Sequence, residues 1–213
     1  MDTQGTTSRR AGSGDPLPPT GHAVLDELTG GLGPGQVWVV CGREDARRAL
    51  SAAVAWAAAT SGAPVLWVSL LETPEGLAER SQQAGAGRDV ADAHLELRTS
   101  GSLTPVHRPG GEPFRVVVLD DPYAEPQAVV TFLGLSLPRG GTLEMPLRLY
   151  AARARATVLV TGPTARLSRW GPDVQVSFPA PRRVRAGRTR ASGRQEARVT
   201  LADGSRSLVP LTL

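Results

Sequence analysis

The sequence predicts an α/β protein: a mostly parallel sheet flanked by helices, ending in antiparallel C-terminal hairpins. Three observations predict it. Apolar runs of strand length alternate with longer helical stretches between Gln36 and Thr161. Those runs, such as Val37-Trp38-Val39-Val40, are continuous rather than alternating, as strands buried on both faces of a parallel sheet require. After residue 173 the pattern changes to short alternating segments around Gly-containing turns, the mark of hairpins. Alternation followed by an antiparallel edge gives a sheet with helices on both faces.

Residues 1–18 are polar and rich in Gly, Ser, Thr and Pro, and they are expected to form a disordered tail ahead of one domain over 19–213. Thr20 to Leu28 predicts a short helical turn, and Thr29 to Gly35 a turn that launches the first strand, Gln36 to Cys41. Asp45 to Thr60 is Ala-rich and stops at Ser61-Gly62, so it reads as a helix. Pro64 to Leu70 is a second strand. Thr73-Pro74-Glu75 supplies an N-cap, a proline at the first helical position and a first-turn carboxylate, starting another helix. A short strand over His94 to Arg98 and an apolar one over Phe114 to Asp121 follow. Leu143 to Arg155 is helical, and Ala156 to Thr161 is a further buried strand. Val174 to Phe178, Arg182 to Arg185, Gln195 to Leu201 and Arg206 to Leu211 are the expected hairpin strands, with a turn at Ala202-Asp203-Gly204.

The chain has 213 residues, a single cysteine and no lysine, so all 24 basic residues are arginine. One cysteine excludes an internal disulfide framework and fits a reducing compartment. No apolar run reaches the roughly 18 residues that span a bilayer. A cytoplasmic protein with no membrane partner is therefore expected. Arg-for-Lys usage accords with GC-rich coding, yet arginine brings bidentate phosphate chemistry wherever it clusters. It clusters at Arg182, Arg183, Arg185, Arg188, Arg190 and Arg194, a run that suits nucleic acid or a solvated hairpin rim. His22, His94, His107 and Cys41 share no metal-ligand spacing, and no metal site is expected. Trp38, Trp56 and Trp67 fall on core elements. Trp170, beside Arg169, is either a packing residue or a platform for a base.

Ligands of such sheets bind at the carboxyl ends of the strands. Three stretches converge there: Gly42 to Arg48 after the first strand, Ser69 to Glu72 after the second, and Asp120-Asp121. A strand-terminal Asp near a phosphate loop can belong to a Mg²⁺ shell, and a nearby Glu can polarise water. Asp120 is equally a strand-end cap, and Asp121 before Pro122 is a turn residue.

Taken in order, several segments resemble the RecA-like motor domain of DnaB-type replicative helicases. They are TGHAVLDELTGGLGPG (20–35), SLLETPEGLAER (69–80), the strand 116–121, ATVLVTGPTAR (156–166) and AGRTRASG (186–193). The resemblance implies a RecA-like P-loop NTPase fold, with ATP and Mg²⁺ as cofactors if the site works. It implies a nucleotide site of Gly42, Arg43, Arg47, Arg48 and Asp120, with Glu72 as the water-orienting group and Arg188 as an arginine finger. It further implies a nucleic-acid surface of Arg182, Arg183, Arg185, Arg190 and Arg194. DNA, a second copy or a related ATPase are the implied partners. The N-terminal domain of that family is not expected here.

Departures fall where the chemistry would be done. Laid on the phosphate loop without gaps, Asp45 and Arg47 take glycine positions, Arg48 the lysine and Ala49 the hydroxyl residue. Glycines let backbone N–H groups close around phosphate, and the hydroxyl serves Mg²⁺. Leu71 takes the glutamate position and leaves Glu72 one residue late, on the opposite strand face unless a bulge re-aims it. Pro163 replaces a strand-end Gln, and the segment 166–174 is short. The expectation is a non-hydrolysing accessory or regulatory protein. The alternatives are a weakly active ATPase and a DNA-binding module acting through the Arg-rich hairpin.

Overall fold

A computed structural model of the chain describes residues 16–84, 94–100, 113–137, 139–167, 169–179 and 194–212. One sheet of eight strands organises the chain: β1 (Val37–Gly42), β2 (Val65–Ser69), β3 (Leu95–Thr99), β4 (Val116–Asp120), β5 (Thr157–Gly162), β6 (Val174–Phe178), β7 (Arg194–Leu201) and β8 (Arg206–Thr212). Their spatial order is β3-β2-β4-β5-β1-β6-β7-β8. The first six are parallel and the last two pair antiparallel. The expected α/β sheet with an antiparallel C-terminal edge is thus present.

Six helices accompany it among the described residues: α1 (Ala23–Thr29), α2 (Glu44–Thr60), α3 (Pro74–Ala84), α4 (Pro126–Phe132), α5 (Glu144–Ala154) and the single turn α6 (Thr164–Leu167). Connections β1→β2 and β2→β3 run toward one edge of the sheet, and β4→β5 and β5→β6 run toward the other. Crossovers of one hand place their helices on opposite faces. Two cores result. Trp38, Val40, Trp67 and Val118 pack against Leu50, Val54 and Trp56 of α2 and Leu77 of α3. On the other face Val37, Val39, Val68, Leu119 and Val160 pack against Val129 and Val130 of α4, Leu147 of α5 and Leu167 of α6. Strands β1, β2, β4 and β5 have both faces covered, so their apolar runs are continuous.

Helix α4 falls where the sequence reading assigns no element. Its sequence, PQAVVTF, is β-branched and reads poorly as helix. Pro126 at the first turn and burial of Val129, Val130 and Phe132 decide it. β7 and β8 instead alternate buried and exposed residues, and Gly204 (φ 82°) closes their turn. Trp170 is buried, its ring edge-on to Tyr123 at 6.1 Å, so it is a packing residue. Pro18 is also buried, and its carbonyl accepts from the Leu32 N–H at 2.9 Å.

One pH-dependent consequence arises at the start of the fold. His22 caps α1, and its Nε2 is buried with no hydrogen-bond partner. Burial lowers its pKa, with Asp26 acting in the opposite direction. The unfolded chain therefore takes up the proton first, near pH 6.5. Stability from neutral His22 is complete above about pH 6.5 and is lost as pH falls through the lowered folded value. Thermal melts between pH 7.5 and 5 are expected to show falling Tm in the wild type and a flatter profile in His22→Gln.

Candidate functional site

β1 and β5 are neighbours whose outgoing connections run in opposite directions, so their carboxyl ends flank the crevice where ligands bind in such sheets. Gly42 ends β1 with φ 107°, and a Cβ there would lie 2.1 Å from the Phe178 carbonyl oxygen on β6. That close approach demands glycine whatever the site binds. The turn that follows is one residue long: Arg43 is the N-cap and α2 begins at Glu44. The stretch Gly42 to Arg48, expected as a loop, is therefore mostly the first turn of a helix.

Arg47 is 5% exposed and crosses the crevice. Its Nη1 donates to Asp121 Oδ2 at 2.7 Å and approaches Thr161 Oγ1 at 3.5 Å. Asp121 is buried and holds a left-handed backbone (φ 50°) in a turn closed by the Ala124 N–H onto its carbonyl. The turn reading of Asp121 stands, with an ion pair added. Asp45 points outward, paired with Arg43.

Asp120, at the end of β4, is buried and accepts from four side chains. Oδ1 receives Thr161 Oγ1 at 2.7 Å and Ser51 Oγ at 3.1 Å, and Oδ2 receives Arg80 Nη2 at 2.6 Å and Trp67 Nε1 at 3.0 Å. The Arg80 guanidinium also lies 4.6 Å from the Trp67 ring centre, a cation–π contact. Glu72 meets Arg80 at 2.8 Å and Arg48 at 3.3 Å, and Arg48 returns to Glu44 at 2.7 Å.

The strand-parity expectation for Glu72 does not apply. β2 ends at Ser69, and the chain bends so that Leu71 is 58% exposed while the Glu72 side chain turns inward. Glu72, Arg48, Arg47 and Asp120 thus come together with Gly42 at the strand ends, and Arg43 lies at their rim. Arg182, Arg183, Arg185, Arg188 and Arg190 lie outside the described residues. Arg194 opens β7, away from this cluster in the strand order. Sequence reasoning did not assign Arg80, Trp67, Ser51 and Thr161 to the site. Ser51 carried a signal, since it lies four residues after Arg47 on the same helix face.

ATP and Mg²⁺ do not fit this arrangement. A phosphate cradle needs several backbone N–H groups converging on open space, and a one-residue turn into α2 cannot supply it. Asp120 already accepts four hydrogen bonds. The open depression that remains, about 480 Å³, is lined by Arg43 and Arg48 but also by Glu44 and Asp45. Among the described residues no His, Cys, Asp and Glu group is arranged to hold a metal, and no helix is long and apolar enough to cross a membrane. No family model matches the chain, and no curated protein matches it. Fold and site define an α/β protein whose strand-end crevice is filled by its own charged side chains.

Proposed function

We propose that the chain is a degenerate DnaB-like, RecA-like P-loop-fold protein that does not hydrolyse ATP and serves as an accessory or regulatory protein. The buried Arg47–Asp121 pair carries this reading, because it lies across the crevice in which a nucleotide would be held. The one-residue turn before α2 and the four-fold occupied Asp120 support it. What remains is a rigid α/β body with exposed surfaces, suited to binding another macromolecule.

Titration with a fluorescent ATP analogue and Mg²⁺ tests this. No saturable signal is expected up to about 100 μM, equivalent to less than about 5.5 kcal/mol of binding. Tighter binding, with turnover abolished by Asp120→Asn, would establish the ATPase reading in its place, with Glu72 and Arg48 as its working groups.

A further inference from the structure

We propose that the layer formed by α4, α5 and α6 docks the protein on an anionic lipid surface, Met145 and Leu149 entering the headgroup region while the surrounding arginines meet lipid phosphates. The three helices pack on one side of the sheet through Val129, Val130, Leu147 and Leu167.

The outer side of this layer is basic and carries apolar tips. On α5, Pro146, Leu147 and Ala151 are buried against the sheet. Met145 (63% exposed) and Leu149 (47% exposed) stand one turn apart on the opposite side of the helix. Arg148 and Arg153 flank them, and exposed Arg139 and Arg155 lie before and after the helix. From Glu125 to Asp173 the chain has six arginines and three carboxylates, and Glu144 and Asp173 are both taken by Arg148. Among the described residues Arg139, Arg153, Arg155 and Arg169 pair with no carboxylate. Residues 16–84, which supply α1, α2 and α3 on the other side of the sheet, have seven carboxylates and four arginines. A negative surface therefore attracts one side of the molecule more than the other.

Beside α5, the same side of β6, β7 and β8 is not covered by a helix among the described residues. Glu196, Arg198 and Arg206 are exposed there, so this stretch adds no net negative charge. It is recessed by about a helix diameter, ~10 Å, which leaves α5 as the part that meets a flat surface first.

Charge complementarity calls for an anionic partner, and the apolar tips select among such partners. Nucleic acid offers phosphates to arginine but nothing to two aliphatic side chains at the apex of a convex helix. A lipid interface offers phosphates for the guanidinium forks and, a few ångströms deeper, the acyl boundary. Helices lying in that interface have this arrangement, apolar at the apex with long cationic side chains reaching back to the headgroups. Docking of this kind needs no spanning helix, and the expectation of no membrane partner rested on the lack of a spanning run. None of these residues belongs to the strand-end crevice, so lipid docking and the absence of ATP binding fail separately.

Co-sedimentation of the full chain with vesicles tests it. With phosphatidylcholine vesicles containing about one-third phosphatidylglycerol, most of the protein is expected to pellet at about 1 mM lipid in about 50 mM salt. Pure phosphatidylcholine is expected to pellet little, and about 500 mM salt, where the Debye length shortens to roughly 4 Å, to release the bound protein. Each arginine near the surface is worth roughly five-fold in affinity, so Arg139→Gln/Arg153→Gln is expected to weaken binding about 20-fold. Met145→Ser/Leu149→Ser, which leaves every charge in place, is expected to weaken it at least several-fold. Brominated acyl chains should quench the added emission of Met145→Trp but not the four native tryptophans, each 7% exposed or less. Circular dichroism confirms that each variant folds. Protein that stays in the supernatant with anionic vesicles, pellets equally with neutral ones, or binds unchanged after either double substitution would overturn the proposal. So would bound Met145→Trp protein that brominated chains leave unquenched, or indifference to vesicles with Arg153-dependent retention of DNA or an acidic peptide.

Discussion

Replacing Asp120 by Ala is expected to lower stability by about 4 kcal/mol or more, from the penalty of leaving several buried donors unanswered. The carboxylate answers Arg80, Trp67, Ser51 and Thr161 at once, so the change strands Trp67 of β2 and Thr161 of β5 and leaves Arg80 with Glu72 and Ser51 with the Arg48 carbonyl. Arg80 suffers most. Its Nε and Nη1 already lack partners, and without Asp120 only Glu72 neutralises it. Such a loss is a large share of the 5–15 kcal/mol typical of a domain. Urea unfolding should show a markedly lower midpoint with an unchanged slope, if any folded protein is recovered. Ser51→Ala and Thr161→Val remove a donor along with its need for a partner, and each is expected to cost less than about 1.5 kcal/mol.

Arg47→Ala is expected to cost about 3–5 kcal/mol, because it leaves Asp121 buried without its cation. For a domain of this size that lowers Tm by roughly 10 °C. The cost comes from the orphaned partner more than from lost attraction. Desolvating two charges offsets most of the gain from pairing them, so replacing both can be nearly neutral. The double variant Arg47→Met/Asp121→Asn should therefore recover most of the stability, Asn being tolerant of the left-handed backbone at position 121. A double variant as unstable as Arg47→Ala alone would place the cost in packing around the guanidinium rather than in charge.

How much of this was legible in the sequence depends on the range of the interaction concerned. Strands β1, β2, β4 and β5 were legible because burial on two faces leaves only apolar residues over five or six positions, a local signal. α4 was not, since its Val-Val-Thr run favours strand and only the sheet beneath it selects helix. At the strand ends, Arg48, Glu72 and Asp120 converge through Arg80, and Arg47 lies beside them, as their positions after β1, β2 and β4 suggested. Their partners were hidden. Trp67 reads as core and is core, yet its indole N–H answers Asp120 across 53 residues of chain. Glu72 misled through a sound rule applied beyond its range, because side-chain alternation holds only while the strand lasts and β2 ends at Ser69.

Gly42 teaches a related lesson. A glycine between an apolar strand and a helix suggests a phosphate loop, but here the neighbouring backbone of Phe178 leaves no room for a side chain. A single-residue turn and an inward arginine then remove the cradle. The proposal that the fold persists without its chemistry rests on these contacts rather than on the substitutions alone.

The most direct test is isothermal titration calorimetry of ATP and Mg²⁺ into the wild-type chain, with phosphate release followed in the same samples. No saturable heat and no turnover above buffer are expected up to about 1 mM nucleotide, weaker than about 4 kcal/mol of binding. Saturable binding near or below about 100 μM, accompanied by phosphate release that Asp120→Asn abolishes, would contradict the account.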